Sequence, residues 1–264
     1  MTLNFFKPKS SLLKDFIEGY YFLRNDNSKE SLCYYTFPNN YQIVSVLQHN
    51  KLGYEKNAVN VCYSENNHLI SNLTCRYTRP IKVNYNGKIN EITIYFKPLG
   101  LNCFLEDHIS FANKDFFEFL PFPDYESSMT KVLNTQNIEK AIMILEKYWE
   151  DKFLNKNNDL MKNILNDITE LKIDEIATKY SISRQYIHKL FKINLGKSPI
   201  EYKRIQRFRN SLLQTDKKLV EKGLSADFYD QSHFIRELKN FTNLIPKDFY
   251  ENMSFKTSNP WLII

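Results

Sequence analysis

The feature that most constrains this chain is an internal copy. The stretch "SISRQYIHKLFKINLGKSPIEY" (181–202) returns, degraded, in "FYDQSHFIRELKNFTNLIPKDFY" (228–250). At an offset of 47, Ser183 falls on Asp230, Ile187 on Phe234, Lys189 on Arg236 and Phe191 on Leu238. Lys192 then falls on Lys239, Gly196 on Asn243, Pro199 on Pro246 and Tyr202 on Phe249. Upstream the offset becomes 46 and sets Ala177 on Gly223, so the one-residue slip lies in a turn, where insertions are tolerated. A solvated surface helix would account for the polar residues but not for a second copy. Joint agreement of caps, anchors and terminators indicates one structural unit used twice.

Each copy carries the chemistry of a helix-turn-helix. A small residue, Ala177 or Gly223, lets a second helix cross the first closely. After the turn, Ser183 or Asp230 is a good helix cap. Apolar residues at i and i+4 pin one face of the second helix inward. Its outer face is Arg184, Gln185, His188 and Lys189 in the first copy, and Gln231, Ser232, Ile235 and Arg236 in the second. Long donors and amides of this kind suit base edges in a major groove, Arg and Lys with guanine and Gln with adenine. The usual fate of such residues is a solvated helix face; the duplication favours the base-edge reading.

On these stretches, "IDEIATKYSISRQYIHKLFKINLGKSPIEY" and "DFYDQSHFIRELKNFTNLIPKDFY", the C-terminal part resembles the DNA-binding domain of AraC-type transcription regulators. The phenylalanine-lysine pair, the Gly-x-x-Pro and the "YDQSHF" run of that pattern all stand here, with Asn243 in place of the second Gly. The second unit departs from the pattern at Lys222-Gly223 and at Asp227. The resemblance implies two helix-turn-helix units, about 171–195 and 217–242, joined by a long helix from about Ser198 to Leu213. It implies double-stranded DNA as partner. Gln185, His188, Lys189, Gln231, Ser232 and Arg236 are then the base-reading candidates, and Arg184, Lys192, Lys197, Arg204 and Lys239 the phosphate candidates. Ala177, Ser183, Gly196, Pro199, Asp230 and Pro246 are structural. Arg204, Arg207 and Arg209 on the linking helix suit either phosphates or salt bridges with Glu201 or Asp216.

Charge agrees in direction. Residues 1–150 carry 16 Lys and Arg against 16 Asp and Glu; residues 151–264 carry 20 against 14, the whole net charge of +6. An anionic partner would select for that bias, although ordinary scatter also reaches it.

The first half has a different period. "YQIVSVLQ" (41–48) is a buried-strand run, and "IKVNY" (81–85) and "EITIYF" (91–96) alternate. Asn86-Gly87 between the last two is a hairpin signal, and Pro98 with Gly100 ends the strand. Helices are expected at Ser11–Tyr20, around Leu101–Glu106 and from Asn137 to Phe153, the last with an apolar stripe through Leu145 and Trp149. Short strands with little helix between them predict an antiparallel sandwich or barrel. "FPNNYQIV" and "FKPLG" resemble, more loosely, the cupin-like sensor half of some AraC-type regulators.

The expected architecture is thus α+β and two-domain: an antiparallel β-barrel or jelly-roll (cupin-like), then an all-α domain. Residues 1–130 form a β-rich sensor or dimerisation domain, 131–158 a linker helix and hinge, and 159–264 the DNA-binding domain, with Asp159 a candidate cap.

Other chemistries find little support. His49, His68 and His108 are isolated, so no metal is expected. Cys33, Cys62, Cys75 and Cys103 lack a CxxC pairing and read as small apolar residues. No P-loop, GxGxxG or triad spacing appears, so neither enzymatic activity nor a cofactor is expected. No apolar run reaches the roughly 20 residues a membrane helix needs, and the N-terminus lacks an export core; a cytoplasmic protein is expected. The 20 Phe and 17 Tyr suit either a packed core or the lining of a small-molecule effector pocket. Three readings follow: an effector-responsive homodimeric regulator; a regulator whose N-terminal half only dimerises; or a small-molecule-binding barrel with a helical interaction module.

Overall fold

The computed structural model describes residues 2–66, 68–76, 78–105, 110–112, 115–156, 159–212 and 230–252. Its N-terminal part is built on two β-sheets. Strands β1 (Thr2–Phe6), β2 (Ile17–Asn25), β4 (Gln42–Gln48), β7 (Leu69–Thr74), β9 (Ile89–Phe96) and β10 (Phe116–Glu118) form the larger sheet, in the order β1-β2-β9-β4-β7-β10. The smaller sheet has the order β3-β8-β6-β5, from β3 (Ser31–Thr36), β5 (Asn50–Glu55), β6 (Ala58–Tyr63) and β8 (Ile81–Asn86). Pairing is antiparallel except between β6 and β8, which run parallel.

The larger sheet is covered on both faces, and strand periodicity distributes its side chains. Tyr20 and Phe22 of β2 with Ile92 and Ile94 of β9 point to one face, where helices α1 (Tyr125–Asn134) and α2 (Ile138–Asp151) cover them. Trp149, fully buried, meets Phe96 and Phe104 edge-on at 4.9 and 5.3 Å. Tyr21, Leu23 and Tyr95 point to the other face and meet Tyr34, Val61 and Tyr85 of the smaller sheet. Cover on both faces explains why nearly every residue of β4 and β9 is buried, polar Glu91 and Thr93 included. The α2 stripe docks on the sheet, and Asn137 caps the helix by accepting from the Lys140 amide at 2.9 Å.

Four expectations are corrected. The sheets do not close into a barrel: they stay separate, with α1 and α2 covering the outer face of the larger. Ser11–Tyr20 is not a helix. A 3-10 turn at Leu13–Asp15 leads straight into β2, because Tyr20 and its neighbours pair with β1 and β9. Asn86-Gly87 is a turn, with Gly87 at φ 86°, but not a hairpin. It carries the chain from β8 in one sheet to β9 in the other. Around Leu101 there is likewise only a 3-10 turn, Leu101–Cys103.

The C-terminal part is helical: α3 (Asp159–Asp167), α4 (Ile173–Lys179), α5 (Arg184–Leu195), α6 (Pro199–Leu212), α7 (Gln231–Thr242) and α8 (Pro246–Asn252). Asp159 is the first residue of α3 itself. The start of the second unit, with Lys222, Gly223 and Asp227, lies outside the described residues.

Candidate nucleic-acid interface

The described parts of the two copies fold alike, down to individual hydrogen bonds. At the start of α5 the Ser183 hydroxyl accepts from the Tyr186 amide at 3.1 Å; at the start of α7 the Asp230 carboxylate accepts from the His233 amide at 2.7 Å. Ile187 and Phe191 are fully buried, as are Phe234 and Leu238. Each helix ends on a left-handed residue, Gly196 at φ 70° and Asn243 at φ 59°. These conformations direct both amides back to the carbonyls of Lys192 and Lys239. Pro199 and Pro246 then open α6 and α8, where a missing amide costs nothing.

In the first unit α4 crosses α5 over Ile176, Ile187, Phe191 and Tyr202. Ala177 lies within α4, and its carbonyl accepts from the Ile182 amide beyond the turn at 3.0 Å. Ser181 takes φ 53° in that turn. The α4 start is held by Glu175, whose carboxylate returns to the Lys172 amide at 2.6 Å.

With the apolar anchors turned in, the rest of α5 faces out. Arg184, Gln185, His188 and Lys189 are exposed, and Arg184 pairs with Asp174 of α4 at 3.1 Å. Tyr186 is also exposed on this helix (43%) and was not singled out from sequence, since aromatic residues count first as core. On α7, Gln231, Ser232, Arg236 and Lys239 are exposed.

The remaining phosphate candidates are engaged within the protein. Lys192 is half-buried and lies 3.5 Å from Glu201. Arg204 grips Glu237 of α7 with two parallel bonds, at 2.8 and 2.9 Å, so this linking-helix arginine fixes α7 to α6. Its partner is thus Glu237, not the Glu201 or Asp216 that lie nearer in sequence. Arg209 donates to the carbonyls of Phe37 and Pro38. Lys197 corrects the expectation outright. It is 1% exposed and donates to the Cys75 carbonyl, so it does not reach a phosphate in this arrangement. Burial pulls its amine down to about 8.

Elsewhere the His49 and His68 rings lie 6.4 Å apart, and no group of three metal-ligating side chains occurs among the described residues. His108 lies outside them.

Comparison with known proteins matches residues 176–252 to a helix-turn-helix domain family. The HTH-type transcriptional regulator ArgR of Pseudomonas aeruginosa is 35% identical over 81 residues, 30% of this chain and 25% of ArgR. This chain therefore spans only a quarter of that relative's length. The probable transcription factor PqrA of Proteus vulgaris is 30% identical over 107 residues, and the match covers 88% of PqrA and 35% of this chain. The chain belongs to the AraC-type transcription regulators. Among solved structures, ToxT of Vibrio cholerae aligns over 87% of this chain and 98% of its own, at 15% identity and a TM-score of 0.46. Another ToxT structure, with an unsaturated fatty acid bound, aligns at 0.45.

In this AraC-type regulator the far end of α5 is held by the sheet domain. Gln42 donates to the Asn194 carbonyl at 3.1 Å, and the Phe111 amide to that of Ile193 at 3.1 Å. Arg76 binds Glu201 at 3.1 and 2.6 Å. Burial acts to raise the Glu201 carboxyl, but bonds from Arg76 and from the Ser198 amide and hydroxyl outweigh it and bring it down to about 2. Asn40 donates to the Tyr202 carbonyl at 3.1 Å, and Phe37 meets Phe249 edge-on at 5.5 Å.

Proposed function

We propose that this chain is a sequence-specific, DNA-binding transcription regulator whose two recognition helices, α5 and α7, read successive major-groove segments. The supporting observation is the pair of matched helices. Both turn apolar anchors inward through the same cap and left-handed terminator, and both leave Gln, Lys, Arg and Ser side chains exposed. Gln185, His188 and Lys189 of α5, with Gln231, Ser232 and Arg236 of α7, are the base-reading set. Arg184 and Lys239 contact phosphates and set the register. The fully buried carbons of the same helices hold the faces rigid, which base discrimination requires. The protein works in the cytoplasm, as a homodimer, and without catalysis. No described helix is long and apolar enough to cross a membrane. The N-terminal sheets take up a small effector. Occupancy then shifts the population between two holds on α5 and α6, which requires unequal affinity for the two.

Selection of bound duplexes from a random pool tests this reading. The wild type is expected to enrich a defined site. Gln185→Ala with Lys189→Ala is expected to lose preference at particular positions, each good contact being worth about 1–3 kcal/mol. Enrichment by this double variant identical to the wild type's would overturn the assignment of α5.

A further inference from the structure

The inner face between the two sheets is not fully filled. A cavity of about 100 Å3 lies there, walled by the aliphatic side chains of both sheets and by the rings of Tyr21, Tyr34, Tyr85 and Tyr95. Its charged wall residue is Glu91 of β9, only 2% exposed. Among the described residues no Lys, Arg or His lines the space. One Glu91 carboxylate oxygen is well served: Tyr21 donates to it at 3.0 Å and Thr93 at 2.6 Å. The other, Oε2, is buried and completes no hydrogen bond among the described residues. Tyr54 and Phe116, both exposed with ring centroids 5.8 Å apart, line both this cavity and an outer cleft.

A buried acceptor without a donor bears its full desolvation penalty, the more so when it is charged. In folded proteins most buried polar groups find a partner in the protein, a water or an ion. Burial raises the Glu91 carboxyl from its ordinary range, and the hydroxyls at Oε1, that of Thr93 foremost, offset part of that rise. A neutral guest would return one hydrogen bond to Oε2. A cationic guest would return the hydrogen bond and a counter-charge together, which in a low-dielectric site is the larger gain. Tyrosine ring faces attract a cation as well. An anion would meet repulsion from Glu91 with no basic residue to offset it.

We propose that this cavity is an effector site for a small organic cation, a primary amine or guanidinium on a compact apolar body, with Glu91 as its counter-ion. This rests on the reading that the N-terminal sheets bind an effector, and it names the chemical class of that effector. The space sets an upper size near that of a single small ring, since an apolar cavity of about 150 Å3 takes benzene.

Calorimetric titration of the full chain tests it, with isobutylamine and methylguanidine set against isobutanol and isovalerate. The amine is expected to bind at least ten-fold more tightly than the alcohol, and isovalerate not to bind. Glu91→Gln is expected to abolish the amine-over-alcohol preference. That ranking in the wild type already decides the matter if the variant fails to fold. Val61→Phe, which fills the cavity, is expected to remove binding altogether. Alcohol or isovalerate binding as tightly as the amine, and lost in Val61→Phe, would overturn the cationic assignment while leaving an effector site in place. No binding by any of the four, together with DNA affinity unchanged by Val61→Phe, would overturn the effector site and the cation with it.

Discussion

Lys197 is a charged side chain set where charge is least welcome. Its amine reaches the Cys75 carbonyl inside the contact between sheets and helices, and burial lowers it from 10.5 to about 8. The folded amine therefore sheds its proton before the unfolded one does. Between about pH 8 and 10.5 the unfolded chain binds more protons, so the Lys197 contribution makes stability rise with pH across that window. Below it, folding pays for holding a buried cation. Lys197→Met keeps the volume and removes the charge, and replacements of this kind are often stabilising by about 1–4 kcal/mol. The variant is expected to be the more stable at pH 7, with the gap shrinking by pH 9.5. Urea melts of both proteins at those two pH values check it. The sequence context, Gly-Lys-Ser-Pro after a basic helix, offered Lys197 to a phosphate, because nothing local reveals that Cys75 comes to lie above it. Gln185 and Lys189, by contrast, were legible as exposed, since their position follows from the spacing of Ile187 and Phe191 alone.

At the scale of elements, what could be read in advance was what is decided within one or two turns of chain. The α5 and α7 caps, their left-handed ends and the α2 stripe were all visible, because each depends on residues three or four apart. Pairing was not. Asn86-Gly87 supplies the positive φ that a hairpin needs, yet whether β9 turns back onto β8 depends on β2 and β4, which claim both its edges. The tyrosine-rich stretch after Leu13 likewise became strand because β1 and β9 receive it. The helix terminators give the sharpest test at this scale. At Gly196 a Cβ would meet the Phe111 carbonyl oxygen at 3.1 Å and the Cys75 Cβ at 3.2 Å, in addition to the left-handed strain of about 1–2 kcal/mol. Gly196→Ala is expected to lower stability by at least that strain. Asn243 holds the same backbone conformation with a side chain, so Asn243→Gly is expected to be neutral or to stabilise by up to about 1 kcal/mol. Thermal melts of the two variants should therefore shift in opposite directions, or the second not at all. A comparable loss in both would show that the two terminators are not equivalent.

At the scale of the whole molecule, the recognition unit and the sheets share one set of contacts, and Glu201 is its hub. Its carboxylate takes Arg76 from the sheet side, closes the Ser198 amide at the start of α6 at 2.7 Å and lies beside Lys192 of α5. A change in how the sheets hold Arg76 is therefore felt at the ends of both α5 and α6. With its carboxyl held at about 2 instead of 4.5, Glu201 contributes stability that is fully present above pH 4.5 and lost as the pH falls toward 2. The Arg76 and Glu201 side chains are 30% and 19% exposed, so solvent screening reduces their pairing well below that of a fully buried bond. A double-mutant cycle over Arg76→Ala and Glu201→Gln is expected to return a coupling of about 1 kcal/mol. Scanning calorimetry reads its consequence. At pH 7 the wild type is expected to melt in one cooperative transition, and Arg76→Ala to separate the sheet and helical melts by several degrees. Lowering the pH of the wild type through the Glu201 window should reproduce that separation without any mutation. A single transition surviving in the variant would mean that the other contacts, those of Gln42, Asn40, Arg209 and Phe111 among them, hold the two parts together without Arg76, and that Arg76 does not transmit the state of the sheets to α5.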